Sequence, residues 1–510
     1  MPDKPDSTFD AWKAIPEHQR HKMVAGMRWT LWLSLVSAPC GYITTVLLAR
    51  VGPDVVGTYG LLSLYIALTS VFLFFGGNGV VIKFLPELAP EERLSFFLSY
   101  FLVILAVTLP YQIAGSIWPK GLQYVLGPAA TNWFGVLLVW LAPLYILFSL
   151  TLASLKGLLE IKWSQLYNRI ITLTTFCLYV VLYFGARSFL AAHYQAIIWI
   201  SYLVLALFVT GIALKRLLRL LHWKQVRIGI HFFLPARFWA YTTGLEASSV
   251  LAFLSTRLDY IFILNAGGLT VFGRYVALYT LVSVIPTFAT FVLDSFLPSL
   301  TNLLAVRDYE SSRRVTEIYL RFMLPCGMLA ATFGALFVHL VFKLLGPRYM
   351  DLVGLGILAF SIAALQVLNW FVGNMFIAIG YPHRDAFVKA CRTVIFCAAF
   401  WSLWGPFHLL GAVLAWGIGE LSYQTIGLYV LLSKMPFKFS FFSTYVPYLV
   451  IVCLSSLASG YLGGQHPAVS LAVWLVLVGG FFLGARYSWS EIRQLSLMVL
   501  PTQISKFLTT

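Results

Sequence analysis

Charge is scarce in this sequence. Aspartate, glutamate, lysine and arginine make up 11% of its 510 residues, where a soluble globular chain carries about 25%. That leaves too little polar surface to face water and excludes a soluble fold. Long hydrophilic segments are missing as well, the largest being the basic stretch 215–238. An integral-membrane polysaccharide polymerase or ligase needs a sizeable extracytoplasmic loop bearing acids, arginines or histidines, so no enzyme is expected. Cysteine is sparse: Cys40, Cys177, Cys326, Cys391, Cys397 and Cys453 lie in apolar stretches without metal-ligand spacing. They read as small packing residues, which excludes a disulfide framework and a metal site. His193, His339, His408 and His466 stand singly, with no carboxylate partner in sequence. The first 23 residues are polar and mixed in charge, so no cleavable signal peptide is expected. No catalytic residue or cofactor is expected either.

Apolar residues dominate: 60% of the chain, with a mean hydropathy of +0.84. The apolar runs are long and continuous, which fits helices spanning about 30 Å of hydrocarbon and not the alternating pattern of a β-barrel. The expected fold is an all-α polytopic membrane protein of about fourteen spans. The first six fall near 25–48, 56–82, 94–117, 131–155, 163–185 and 193–214, and the next six near 239–264, 271–300, 318–342, 351–380, 386–406 and 409–432. The last two fall near 442–463 and 467–485.

The basic residues orient this map. Placed on alternate sides, 28 of the 35 lysines and arginines fall on one face, six on the other (Arg50, Lys120, Arg187, Arg274, Lys343, Arg348), and Arg257 within a span. Cytoplasmic loops are enriched in Lys and Arg, so both termini are expected in the cytoplasm. The net charge of +16 is therefore an orientation signal, and no nucleic-acid partner is expected.

The chain also repeats itself. Gly52, Gly57 and Tyr59 align with Gly268, Gly273 and Tyr275 at an offset of 216. Leu126-Gly127-Pro128 aligns with Leu345-Gly346-Pro347 at 219, and Gly157 and Arg169 with Gly380 and Arg392 at 223. A repeat of six helices gives two like-oriented lobes related by an axis along the membrane normal, an arrangement found in transporters. The expected organisation is a cytoplasmic segment 1–24, an N-lobe 25–214, a basic linker 215–238 and a C-lobe 239–433. Two appended spans at 434–486 and a cytoplasmic tail 487–510 follow.

Within this framework, Leu47-Leu48-Ala49-Arg50-Val51-Gly52-Pro53 with Gly57-Thr58-Tyr59 resembles the end of the first span of the polysaccharide transporters. These are the Wzx-type lipid-linked oligosaccharide flippases of the multidrug/oligosaccharidyl-lipid/polysaccharide exporter superfamily. Leu258-Asp259-Tyr260 with Gly273-Arg274-Tyr275 is similar to the counterpart opening the second half. Phe296-Leu297-Pro298 with Arg307-Asp308, Gly346-Pro347-Arg348-Tyr349, and Leu410-Gly411-Ala412 to Glu420 also fit the pattern. The resemblance covers about residues 25–433. The first span has only Arg28 and Arg50, at its ends, and so departs from the lipid II flippases of the superfamily, which carry arginines within it.

The resemblance implies a bacterial inner-membrane flippase, moving an undecaprenyl-diphosphate-linked oligosaccharide by alternating access for surface polysaccharide synthesis. Its implied partners are membrane lipids, a polysaccharide polymerase and glycosyltransferases. The alternative is a multidrug cation antiporter of the same superfamily. Arginine suits a diphosphate, and ionisable groups inside spans are costly enough to be functional candidates by default. Arg257 leads, with Glu246 eleven residues earlier on the same helix face and Asp259 pointing elsewhere. These three, with Gln366, Asn369 and Asn78, are the candidate substrate contacts; Arg257 reads equally well as a structural pair or an interfacial anchor. Glu420, with Gln424 one turn on, is the candidate for coupling to a proton or sodium gradient, or else an interhelical hydrogen-bonding residue. Arg50, Lys343 and Arg348 read as interfacial anchors.

Overall fold

The computed structural model describes residues 33, 36–118, 133–158, 160–221, 231–286, 300, 304, 307–437, 442–462 and 467–484. Leu126-Gly127-Pro128, Phe296-Leu297-Pro298, segment 1–24, residues 222–230 of the basic linker and the tail 487–510 lie outside them. Among the described residues there is no strand. In a bilayer a backbone must satisfy its own polar groups, and continuous apolar sequence does so by coiling into helices.

In chain order the helices are α1 (Val36–Val51), α2 (Pro53–Leu68), α3 (Gly77–Glu87), α4 (Pro90–Ile117), α5 (Trp133–Gly157), α6 (Ile161–Gly185) and α7 (Arg187–Leu220). Then come α8 (Phe238–Val282), α9 (Tyr309–Leu336), α10 (Val338–Leu345), α11 (Val353–Ala378), α12 (Pro382–Lys434), α13 (Phe442–Leu462) and α14 (Pro467–Gly484). Helices α2, α4 and α12 open on proline at their first positions, where the missing N–H costs nothing. Arg187 at the start of α7 donates to the Arg50 carbonyl at 2.7 Å, closing the C-terminal end of α1.

Eight described helices are long and apolar enough to cross a membrane, or nine if the bent pair α9–α10 counts as one. The chain is an all-α polytopic membrane protein. Two of the expected loops are absent. The spans read as 239–264 and 271–300 meet in the single helix α8, kinked at Gly268 (φ 75°), and those read as 386–406 and 409–432 meet in α12, kinked at His408. A loop there is unnecessary because one residue with non-helical torsions reverses the chain. Apolar side chains such as Leu109, Val181, Phe208, Val394, Trp401, Leu457 and Val476 are exposed, more apolar surface than a water-facing protein leaves open.

The chain forms two compact units, 1–277 and 278–510. In the first, α5 packs against α7, α3 and α4, and α6 against α7. The first part of α8 belongs here: its Phe238 and Tyr241 rings meet Phe84 of α3. The unit boundary thus falls inside the second sequence repeat and not at the basic linker. In the second unit, α11 packs against α12, and α9 against α11 and α13. The appended hairpin α13–α14 is tied in by hydrogen bonds from Tyr448 to the Ala364 carbonyl (2.6 Å), Ser459 to the Ala335 carbonyl (2.6 Å) and Trp474 to Thr332 (3.1 Å).

Candidate functional site

Inside the first unit, among α2, α3, α5, α6 and α7, lies a cavity of about 410 Å³. Its polar lining is Lys156, the amides of Asn78 and Asn168, and the hydroxyls of Ser63, Ser149, Thr172, Thr175 and Ser201. Four tyrosines, Tyr59, Tyr145, Tyr179 and Tyr202, add rings with hydroxyl tips, and no carboxylate is among the lining residues. Among the described residues such a wall offers donors, acceptors and aromatic faces, with one positive charge and nothing negative.

A break in the chain brings Asn78 to this cavity. Helix α2 runs into a π-turn at Thr69–Leu73, the backbone turns left-handed at Gly76 and Gly77 (φ 77° and 62°), and α3 starts afresh. Breaking a helix at membrane depth frees backbone groups, and these are taken up by specific partners. Glu246 of α8 accepts from the Gly76 N–H at 2.9 Å. The Tyr100 hydroxyl donates to the Phe75 carbonyl at 2.6 Å, with the Gly77 carbonyl at 3.3 Å. Gly76 also lies where a Cβ would come within 2.4 Å of the Thr242 methyl group. Glu246 thus acts on the α2–α3 break. Arg257 shares its helix face, but eleven residues place the two about 16 Å apart along the axis.

Arg257 and Asp259 belong to the kink of α8. Beyond Gly268 the helix folds back, so that the Tyr275 hydroxyl donates to Asp259 Oδ2 at 2.5 Å. Tyr260 packs edge-on against Phe272 and Tyr275, and the Arg257 guanidinium lies 4.8 Å from the Tyr260 ring centre. Asp259 is 7% exposed, and the tyrosine joins it to the returning arm. Tyr275→Phe should therefore lower thermal stability by about 1–3 kcal/mol, the cost of leaving a buried acceptor short of a donor, measurable as an earlier melting transition in detergent.

The second unit holds a denser polar cluster. Glu420 Oε1 accepts from Arg392 Nη2 (2.6 Å), Gln366 Nε2 (2.7 Å) and Trp416 Nε1 (2.9 Å), and Oε2 from Asn369 Nδ2 (2.7 Å). Asn369 also donates to the Glu420 carbonyl at 3.1 Å. One helical turn on, Tyr423 donates to Asp385 (2.6 Å), which pairs with Lys389 (2.6 Å). Gln424 donates to the Tyr445 hydroxyl of α13. Glu420, 3% exposed, has four side-chain donors around it, an arrangement that fixes the carboxylate in place.

The structure thus gathers Gln366, Asn369 and Glu420 into one cluster and places Asn78 at the cavity. Glu246, Arg257 with Asp259, and Gln424 each stand at separate contacts. Sequence reasoning passed over Lys156 and Asn168. Lys156 counts there as one more cytoplasmic charge, and no spacing links either residue to Asn78. It also passed over the helix break, for which Gly76-Gly77-Asn78-Gly79 inside a span was a readable signal. Among the described residues, no group of three or more histidines, cysteines, aspartates or glutamates could hold a metal ion.

No protein-family model matches the chain, and no curated protein sequence is similar to it. Solved structures are. The lipid II flippase MurJ in an inward closed conformation superposes with a TM-score of 0.65 at 13% identity, covering 90% of this chain and 98% of its own. The fold is that of the MOP-superfamily transporters. An inward-facing multidrug resistance MATE transporter of the MOP superfamily gives a TM-score of 0.62 at 12% identity, covering 80% and 98%. A MOP-superfamily transporter from Pyrococcus furiosus, described as having a binding pocket of reverse polarity, gives 0.55 at 14% identity, covering 85% and 99%.

Proposed function

We propose that this chain is a fourteen-span, two-lobed exporter of the MOP fold. It moves a lipid-linked oligosaccharide of the undecaprenyl-diphosphate type across the bacterial inner membrane by alternating access, for surface polysaccharide synthesis. The single observation that carries the reading is the lining of the cavity: Lys156, two amides, five hydroxyls and four tyrosines, without a carboxylate. A polyhydroxylated head group needs hydrogen-bonding partners of both kinds, and its diphosphate needs a cation. A site for cationic drugs would need the opposite charge, so the lining speaks against the multidrug cation antiporter. Likeness to a lipid II flippase supports a lipid-linked cargo, on the strength of the fold alone.

In this reading Asn78 and Lys156 contact the head group, Glu246 holds the broken helix that presents Asn78, and the Glu420 cluster keeps the second unit rigid. The expected result is that cells lacking the protein accumulate lipid-linked oligosaccharide on the cytoplasmic leaflet and lose surface polysaccharide, with dye efflux unchanged. Normal surface polysaccharide together with reduced efflux of cationic dyes would decide for the antiporter.

A further inference from the structure

At the N-terminal end of α2, the helix crosses the returning arm of α8, and the contacts there obey the duplication. The offset of 216 that pairs Gly57 with Gly273 also pairs Pro53 with Leu269, Asp54 with Thr270, and Gly60 with Val276. A Cβ on Gly57 would stand 2.5 Å from the Leu269 carbonyl oxygen, and one on Gly273 would stand 1.9 Å from the Pro53 carbonyl oxygen. These two contacts are each other's images under the repeat. Two more join a residue to its own counterpart: the Thr270 hydroxyl donates to Asp54 Oδ1 at 2.5 Å, and a Cβ on Gly60 would meet a Val276 methyl at 2.6 Å. A residue touching its own image lies on the symmetry axis, as at the centre of an isologous dimer interface. The local twofold axis of the duplicated fold therefore runs through this crossing.

The chemistry of the crossing is that of a contact made to part. Glycines let the two backbones approach without interlocking side chains, and a side-chain hydrogen bond across it, from Thr270 to Asp54, is exposed. Arg50 and Arg274, which flank it in sequence, belong to the lysine-poor side of the map, so the crossing is assigned to the extracytoplasmic ends of the helices.

We infer that the Gly57–Gly273 crossing is a symmetric extracytoplasmic gate, closed by backbone contact and latched by Asp54 and Thr270, which separates once in each transport cycle. Its position on the axis lets both repeats contribute equally to its opening. The inference rests on the transporter reading for its cycle, while the gate itself is testable without cargo.

The test uses the full-length protein in membranes. In the doubly substituted Asp54→Cys, Thr270→Cys protein, oxidation should form a cross-link detectable by peptide mass spectrometry. It should stop polysaccharide export, which reduction should restore. In a second experiment, Thr270→Cys alone should be labelled from outside by a membrane-impermeant maleimide, and adding Gly273→Ala or Gly57→Ala should increase the labelling rate several-fold by holding the crossing apart. Quantitative cross-linking with undiminished export would overturn the gate, as would absence of any cross-link or labelling unmoved by either glycine substitution. Surface polysaccharide unchanged by deletion of the protein, combined with maleimide labelling that follows the glycines, would instead count against the proposed cargo while upholding the gate.

Discussion

Arg392→Met should destabilise the second unit more than any other single substitution in it. The guanidinium and Glu420 meet at 2.6 Å with side-chain exposures of 11% and 4%. Removing one member of a buried pair leaves the other charged and uncompensated, which costs about 3–5 kcal/mol. The expected observation is a sharply lower melting temperature of the detergent-solubilised protein and a reduced amount in the membrane. Glu420→Gln should also destabilise, because it leaves the buried Arg392 guanidinium without its anion, although the amide keeps an oxygen to accept from Gln366 or Asn369. Combining Arg392→Met with Glu420→Leu should recover part of the loss, since an apolar pair can replace a buried ion pair at little cost. If Glu420→Gln instead left stability intact and abolished export, a coupling role would take precedence over the packing role.

Lys156→Glu should have the largest effect on export with the least effect on folding. Among the described residues, Lys156 is the only charged one lining the cavity. Losing a hydrogen bond to a charged group costs about 1.5–3 kcal/mol, and reversing the sign adds repulsion of several kcal/mol against a diphosphate. At about 1.4 kcal/mol for each factor of ten, export should fall roughly a hundredfold or more while protein level and melting temperature stay near those of the parent. Lys156→Arg should retain most export, because the positive charge and its donors remain. Export unchanged by Lys156→Glu would remove the cavity from the path of the head group.

How far the sequence reached depends on the range of the interaction concerned. Membrane class follows from local composition, since 20 or so consecutive apolar residues must be helical and buried in lipid wherever they occur. The repeat was equally visible in the sequence, because Gly57 and Gly273 each stand where a Cβ would run into the opposing backbone, a place only glycine fills. Pairings were out of reach. Nothing in the run from Pro382 to Lys434 shows that Arg392 and Glu420, 28 residues apart on a helix kinked at His408, come together beside Gln366 and Asn369. Helical periodicity puts Glu246 and Arg257 on one face, yet a shared face does not imply contact when the rise between them is about 16 Å.

Scarcity of charge, long apolar runs and an internal repeat were determined by the sequence alone, because each is a property of neighbours along the chain or of the chain compared with itself. Tertiary structure decided which polar groups inside the membrane meet. Their partners come from helices distant in sequence, and burial makes the choice of partner costly to change. It placed Lys156 and Asn78 at one cavity, turned Glu246 toward a broken helix, and set Gly57 against the arm that carries Gly273.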